Sequence, residues 1–134
     1  MTSQNKKPKT KFCKSCQKRK AIKNFPKRYD KSATQGQLSQ ECRKCRQAKI
    51  SERKSKSRES IRQYKASKGC KICGYNDERA LVLHHRDPKE KTLEVSNMIS
   101  RAYSQKTIFE EVEKCDVLCH NCHSILHHEE AKKK

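Results

Sequence analysis

A small α+β protein stapled by zinc is the fold class that this sequence predicts. Three observations predict it. First, hydrophobic residues make up only 31% of the 134-residue chain, with no Trp, three Phe and four Tyr. So small an apolar core cannot offset the conformational entropy of ordering the chain. Second, eight of the nine cysteines fall into four Cys-x-x-Cys pairs: Cys13/Cys16, Cys42/Cys45, Cys70/Cys73 and Cys119/Cys122, with Cys115 left over. In a reducing compartment such knuckles read as zinc sites rather than disulfides. Third, charge is partitioned. Residues 1–69 hold 23 Lys and Arg against 4 Asp and Glu, which is the whole net charge of +19. Residues 70–134 hold 11 of each, together with all six histidines. The division predicts a polycationic part that holds a polyanion and a neutral part that does chemistry.

The elements follow in chain order. Residues 1–11 are Lys-rich and polar, and are expected to form a basic disordered arm. Residues 12–45 form an N-terminal zinc unit, in which Cys13, Cys16, Cys42 and Cys45 hold one structural ion. The 25 residues between its two knuckles include Ile22, Phe25 and Tyr29, an apolar cluster suited to cap the zinc, and Gly36 marks a turn. Residues 46–69 are expected to be a basic helical linker. From Arg43 to Lys68 there is no Gly or Pro, and Lys, Arg, Gln, Glu and Ala dominate. Its large apolar residues, Ile50, Ile61 and Tyr64, are too sparse for a core-facing stripe, so docking on a polyanion would have to stabilise it. A solvated flexible linker is the alternative. Arg43, Lys44, Arg46, Lys49, Arg53 and Lys54 are the expected phosphate contacts, giving affinity with little sequence information. Charge that merely aids solubility is the alternative for them.

Gly69 ends the basic run, and residues 70–134 form the second domain. Cys70, Cys73, Cys119 and Cys122 supply a second structural zinc, although 45 residues separate the two knuckles. Four thiolates make a closed tetrahedral site that would pin the final helix against the strand carrying His84-His85. Leu81-Val82-Leu83 predicts that strand, Asp87-Pro88 the turn after it, and Leu93-Glu94-Val95 a second short strand. Residues 104–114 read as a helix capped by Ser104, with Ile108 and Val112 on one face. Val117-Leu118 leads into the last knuckle, and a final helix is expected over residues 122 to 130. Cys115 is expected to be a small buried apolar residue.

His123 and His127 lie four apart, so on a helix they share one face. Two imidazoles at that spacing can grip one metal ion. His84 supplies a third ligand and leaves its neighbour His85 free to act as a base. Catalytic metal sites need that combination of a few protein ligands and an open position. His120 and His128 are expected to face solvent.

The run Cys70-x-x-Cys73, then Leu83-His84-His85, then Leu118-Cys119-x-x-Cys122-His123 with His127, resembles the HNH endonucleases. These form the ββα-metal nuclease superfamily, which includes phage nucleases and the nuclease domains of colicins. The resemblance covers about residues 70–130. The first cysteine unit and its basic stretch resemble, more loosely, the zinc-knuckle extension often found ahead of HNH domains in phage proteins. The resemblance implies a ββα-metal unit that hydrolyses phosphodiester bonds in DNA, by nicking or double-strand cutting. It implies His84, His123 and His127 as ligands of one catalytic divalent metal (Mg2+, Mn2+, Ni2+ or Zn2+), and His85 as general base. An imidazole with an ordinary pKa of about 6.5 suits that task near neutral pH. The implied setting is a phage or bacterial cytoplasm, in a homing-type or DNA-processing role.

One motif position departs from the family. The middle Asn has no counterpart at Lys114-Cys115-Asp116; Asn97 and Asn121 are the substitutes, and Asn97 is preferred for bracing the loop. Arg86 is placed to contact the scissile phosphate. The alternative to a nuclease is a non-cleaving zinc-dependent protein that binds DNA or RNA, with structural histidines. A zinc-scaffolded protein adaptor fits the charge poorly. No signal-like stretch or long apolar run is present, so the expectation is a cytoplasmic protein with no membrane contact.

Overall fold

The computed structural model describes residues 9–133. The chain is a small α+β protein with two separate two-stranded antiparallel sheets. It divides into two compact units, Met1–Glu52 and Arg53–Lys134. The boundary falls inside the longest helix, so the segment 46–69 is shared between the units rather than standing apart from both.

In the first unit, β1 (Thr10–Phe12) and β2 (Arg19–Ala21) form a hairpin, with Lys11 opposite Lys20. Residues 1–8 of the expected arm lie outside the described residues, whereas Thr10 and Lys11 are part of this strand. The loop between the strands is the first knuckle. The Cys13 N–H donates to Lys18 O at 3.0 Å and the Gln17 N–H to Cys13 O at 2.9 Å, with Gln17 at φ 53°. The second knuckle opens α1 (Arg43–Lys68), where the Arg46 N–H donates to Cys42 O at 3.0 Å. Cys13, Phe25 and Cys42 form the buried centre, with Cys16, Leu38 and Cys45 packed on it. Of the three apolar residues expected over the zinc, only Phe25 is buried. Tyr29 is 89% exposed and Leu38 takes its place, carried there by a bridge between Lys27 and Leu38.

The second unit is organised by β3 (Leu81–His85) and β4 (Cys115–Cys119), paired antiparallel with Leu81 opposite Cys119 and His85 opposite Cys115. Between them lie α2 (Val95–Ser100) and α3 (Gln105–Val112), and α4 (His120–Lys132) follows β4 directly. The second strand is therefore residues 115–119 and not 93–95. Val95, Met98 and Ile99 are buried at helical spacing, and that period overrides the short β-type run. α3 starts where expected, with the Ser104 hydroxyl accepting the Thr107 N–H at 3.2 Å.

The expectation for α1 also needs correction. Ser57 and Ile61 are buried, and Tyr64 packs against both clusters of the second unit's core. The sparse apolar positions are enough because the small Ser57 is itself buried, and Tyr64 stacks edge-on against Phe109 with ring centres 5.9 Å apart. Lys65 adds a polar clamp: its ammonium donates to Leu81 O at 2.6 Å and to Glu78 O at 3.2 Å, tying α1 to the start of β3. Gly69 then ends the helix at φ 66°, a left-handed conformation that glycine adopts without strain.

This packing sets a stability expectation. Ile61→Ala should destabilise the zinc-loaded protein by about 2–5 kcal/mol, as for other buried aliphatic truncations. Ile125→Ala, at a side chain 59% exposed, should change it by less than about 0.5 kcal/mol. Chemical denaturation followed by circular dichroism measures both. Equal effects would mean that α1 is not part of the core.

Candidate metal centre

Three groups of side chains in the described residues are arranged as metal ligand sets. They are Cys13/Cys16/Cys42/Cys45, Cys70/Cys73/Cys119/Cys122 and His84/His123/His127, and within each the ligand atoms lie within 4.8 Å of one another. Zinc bonded to thiolate at about 2.3 Å in a tetrahedron sets sulfur–sulfur edges of about 3.8 Å. The Cys73 and Cys119 sulfurs are 3.7 Å apart, which fits. Both cysteine clusters are compatible with a structural zinc.

The thiol chemistry supports that fit. Cys13 is lowered to about 6 because the backbone N–H groups of Cys16 and Cys42 point at its sulfur. At Cys70, burial acts upward, but the N–H groups of Cys73, Cys119 and Ile72 bring it down to about 6. Other thiols instead hold their protons more tightly; at Cys73 the Tyr75 N–H acts downward, but a hydrogen bond with Cys70 and burial push the thiol up. Cys45, bonded first to Cys42, and Cys122, bonded first to Cys119, are pushed up to about 12. Four clustered sulfurs cannot all ionise unless a cation compensates them, and zinc binding must expel the remaining protons.

The second cluster joins distant pieces of chain. The Lys71 N–H donates to Val117 O at 2.9 Å, locking the first knuckle to β4. Cys119 ends β4, and its sulfur accepts the Cys122 N–H at 3.4 Å as the cap of α4. The same residue thus fixes both the strand and the start of the helix that carries His123 and His127.

Strand and helix periodicities then assemble the histidines. Along β3, side chains alternate between faces. His84 faces α4, with ring centres 5.2 Å from His123 and 5.0 Å from His127. The Nε2 atoms of His123 and His127 are 3.1 Å apart, close to the edge of about 3.3 Å expected for two imidazoles on one tetrahedral metal. Nδ1 of His127 lies 3.7 Å from the Glu130 carboxylate, beyond hydrogen-bond reach. Burial, and then its neighbours His127 and His84, lower the His123 pKa, favouring the neutral form that binds metal.

His85 points to the other side of β3 and is buried. Its Nε2 lies 2.8 Å from the Glu111 carboxylate of α3. It nevertheless borders the same cavity of about 370 Å3 as His84, His123 and His127, together with Pro88, Lys91 and Glu94. Among the described residues its Nδ1 makes no hydrogen bond, and no buried side-chain nitrogen or oxygen there lacks a partner. Nδ1 therefore keeps some exposure, and His85 also borders a second cavity, lined by Ile61, Lys65, Glu94 and Ser96 among others.

The other sequence-predicted residues fall elsewhere. Asn97 is exposed on α2, and Asn121 is exposed in the first turn of α4. The Arg86 guanidinium is engaged by the start of β4 and the residues before it: it donates to Cys115 O at 3.1 Å, to Asp116 at 3.2 Å and to Glu113 O. Lys49 is paired with Glu41, and Arg53 donates to Ala102 O at 3.4 Å. Arg43, Lys44 and Arg46 are exposed on the first turn of α1. Cys115 is buried as expected, and burial pushes its thiol up to about 11. Glu111 escaped the sequence reading. The signal was an acidic residue three positions after Ile108, on the buried face of its helix.

No protein-family model, no curated protein and no solved structure matches this chain at a significant level.

The reduced protein should retain two zinc ions per chain after dialysis against a weak chelator, by elemental analysis. Cys119→Ser and Cys13→Ser should each remove one ion and leave the other; a variant retaining both ions would contradict the assignment. Because thiolates compete with protons, zinc affinity should fall as pH falls. Dye-detected zinc release should rise between about pH 7.5 and about pH 5.

Proposed function

We propose that the chain is a metal-dependent HNH-type endonuclease that hydrolyses phosphodiester bonds in DNA. The observation that carries the reading is the shared cavity: three imidazoles converge as a ligand set, and a fourth, that of His85, borders the same space. Two antiparallel strands followed directly by a helix supply the ββα order that such an enzyme requires.

His84, His123 and His127 would hold a divalent cation, which supplies positive charge beside the scissile phosphate and a site for water. His85 would act as general base at Nδ1. The exposed cations of the first unit, Arg43, Lys44 and Arg46 among them, would meet the DNA backbone and give affinity without sequence choice. Those same cations favour a second reading, a zinc protein that binds DNA or RNA without cutting it.

Supercoiled plasmid with a divalent cation separates the two. The wild-type protein should convert it to nicked or linear product. His85→Ala should slow cleavage by about 10²- to 10⁴-fold with metal and DNA binding nearly unchanged. His84→Ala and His123→Ala should raise the cation concentration needed for cleavage. Intact plasmid across all cations tried, with tight binding, would favour the non-cleaving protein.

Binding has its own test. Replacing Arg43, Lys44 and Arg46 together by Gln should weaken DNA binding and reduce the salt slope by up to about 2.7, if each meets a phosphate. An unchanged slope in a binding titration against salt would place the interface elsewhere.

A further inference from the structure

We propose that Glu111 is a positioning residue of this centre: it holds His85 as the Nε2–H tautomer and thereby makes Nδ1 the atom that accepts a proton. What the proton transfer accomplishes rests on the nuclease reading; the tautomer does not.

Glu111 sits on the buried face of α3 between Ile108 and Val112, with 2% of its surface exposed. A carboxylate is costly to bury, and packing alone would be served by an apolar side chain. Its oxygens are instead taken up one by one. Oε1 accepts the Thr92 N–H at 2.8 Å and faces Nε2 of His85 at 2.8 Å. Oε2 accepts the Lys114 ammonium at 2.7 Å. Lys114 is anchored in turn to Glu90 O at 3.2 Å and to the Thr92 hydroxyl at 3.1 Å. The carboxylate is therefore fixed by partners other than His85, and the imidazole is oriented against a fixed point.

Its ionisation supports the assignment. Burial pushes the Glu111 carboxyl up, but Lys114, the Thr92 N–H and His85 outweigh it and hold it at about 2. An ionised carboxylate only accepts, so the neutral imidazole facing it must carry its hydrogen on Nε2. The lone pair is then on Nδ1, which makes no hydrogen bond among the described residues.

A water oxygen bonds to phosphorus while its proton passes to Nδ1. One P–O ester bond breaks, and the departing alkoxide oxygen takes a proton from solvent water. The imidazolium so formed is stabilised by the adjacent Glu111 carboxylate, as buried carboxylates do for catalytic imidazoles elsewhere. His85 then returns its proton to solvent.

Long-range 1H–15N NMR of the imidazole rings in the full-length, zinc-loaded protein tests this, at about pH 8.5, where an ordinary imidazole is neutral. The His85 signal is identified by its loss in His85→Ala. Wild-type His85 should show a protonated Nε2 and an unprotonated Nδ1. Glu111→Gln keeps an acceptor but not the charge, so it should retain that tautomer with slower cleavage. Glu111→Ala should give mixed tautomers and lose about 10- to 100-fold in cleavage rate, with His84/His123/His127 metal affinity unchanged. An Nδ1–H tautomer in the wild-type protein would overturn the proposal even if Glu111→Ala fails to fold. So would a folded Glu111→Ala protein with the wild-type tautomer. Absence of cleavage by the wild-type protein, with His85 held as Nε2–H, would instead refute the nuclease reading and leave the tautomer assignment standing.

Discussion

The convergence of Cys70, Cys73, Cys119 and Cys122 is the constraint on which the second unit depends. Its apolar core is small, and its two knuckles are far apart in sequence. Cys119 is at once the last residue of β4, the cap of α4 and a member of the cluster. Fixing that one residue sets the register of β4 against β3 and the starting direction of α4. A zinc ion there would hold two strands and a helix in mutual registry more firmly than their few side-chain contacts can. The first unit repeats the device around Cys13 and Cys42, with Phe25 as its main apolar cover.

Given that frame, the histidine constellation follows from elementary periodicities. Adjacent residues on a strand face opposite ways, so His84 and His85 are separated without any intervening sequence. Residues four apart on a helix share a face, so His123 and His127 meet His84 together. The side of β3 that receives His85 is walled by α3, and Glu111 is waiting there. The two faces of one short strand thus divide the residues: the three-imidazole cluster gathers on one and the His85–Glu111 pair on the other, and His84 and His85 both border one cavity.

Much of this was legible in the sequence because knuckle spacing and histidine spacing are short-range geometric signals. The cysteine clusters, β3, the Ser104 cap and the His84/His123/His127 set could all be read that way. The failures have physical causes. Residues 93–95 look like a strand only if the helical spacing of Val95, Met98 and Ile99 is overlooked. α1 looked too polar to be a core helix, because a stripe made of Ser57, Ile61 and Tyr64 is apolar only where its neighbours complete it. Glu111 was hidden because a charged residue is read as exposed by default. Only the tertiary placement of Thr92, Lys114 and His85 shows how its charge is accommodated.

The central claim is that water, deprotonated in this cavity, attacks a DNA phosphodiester. Cleavage of a duplex oligonucleotide in 18O-enriched water, with products weighed by mass spectrometry, tests it most directly. The account predicts divalent-cation-dependent scission with one 18O atom in the terminal phosphate at each cut. Products without 18O would contradict hydrolysis by water, and a duplex left intact under every cation would contradict the nuclease itself.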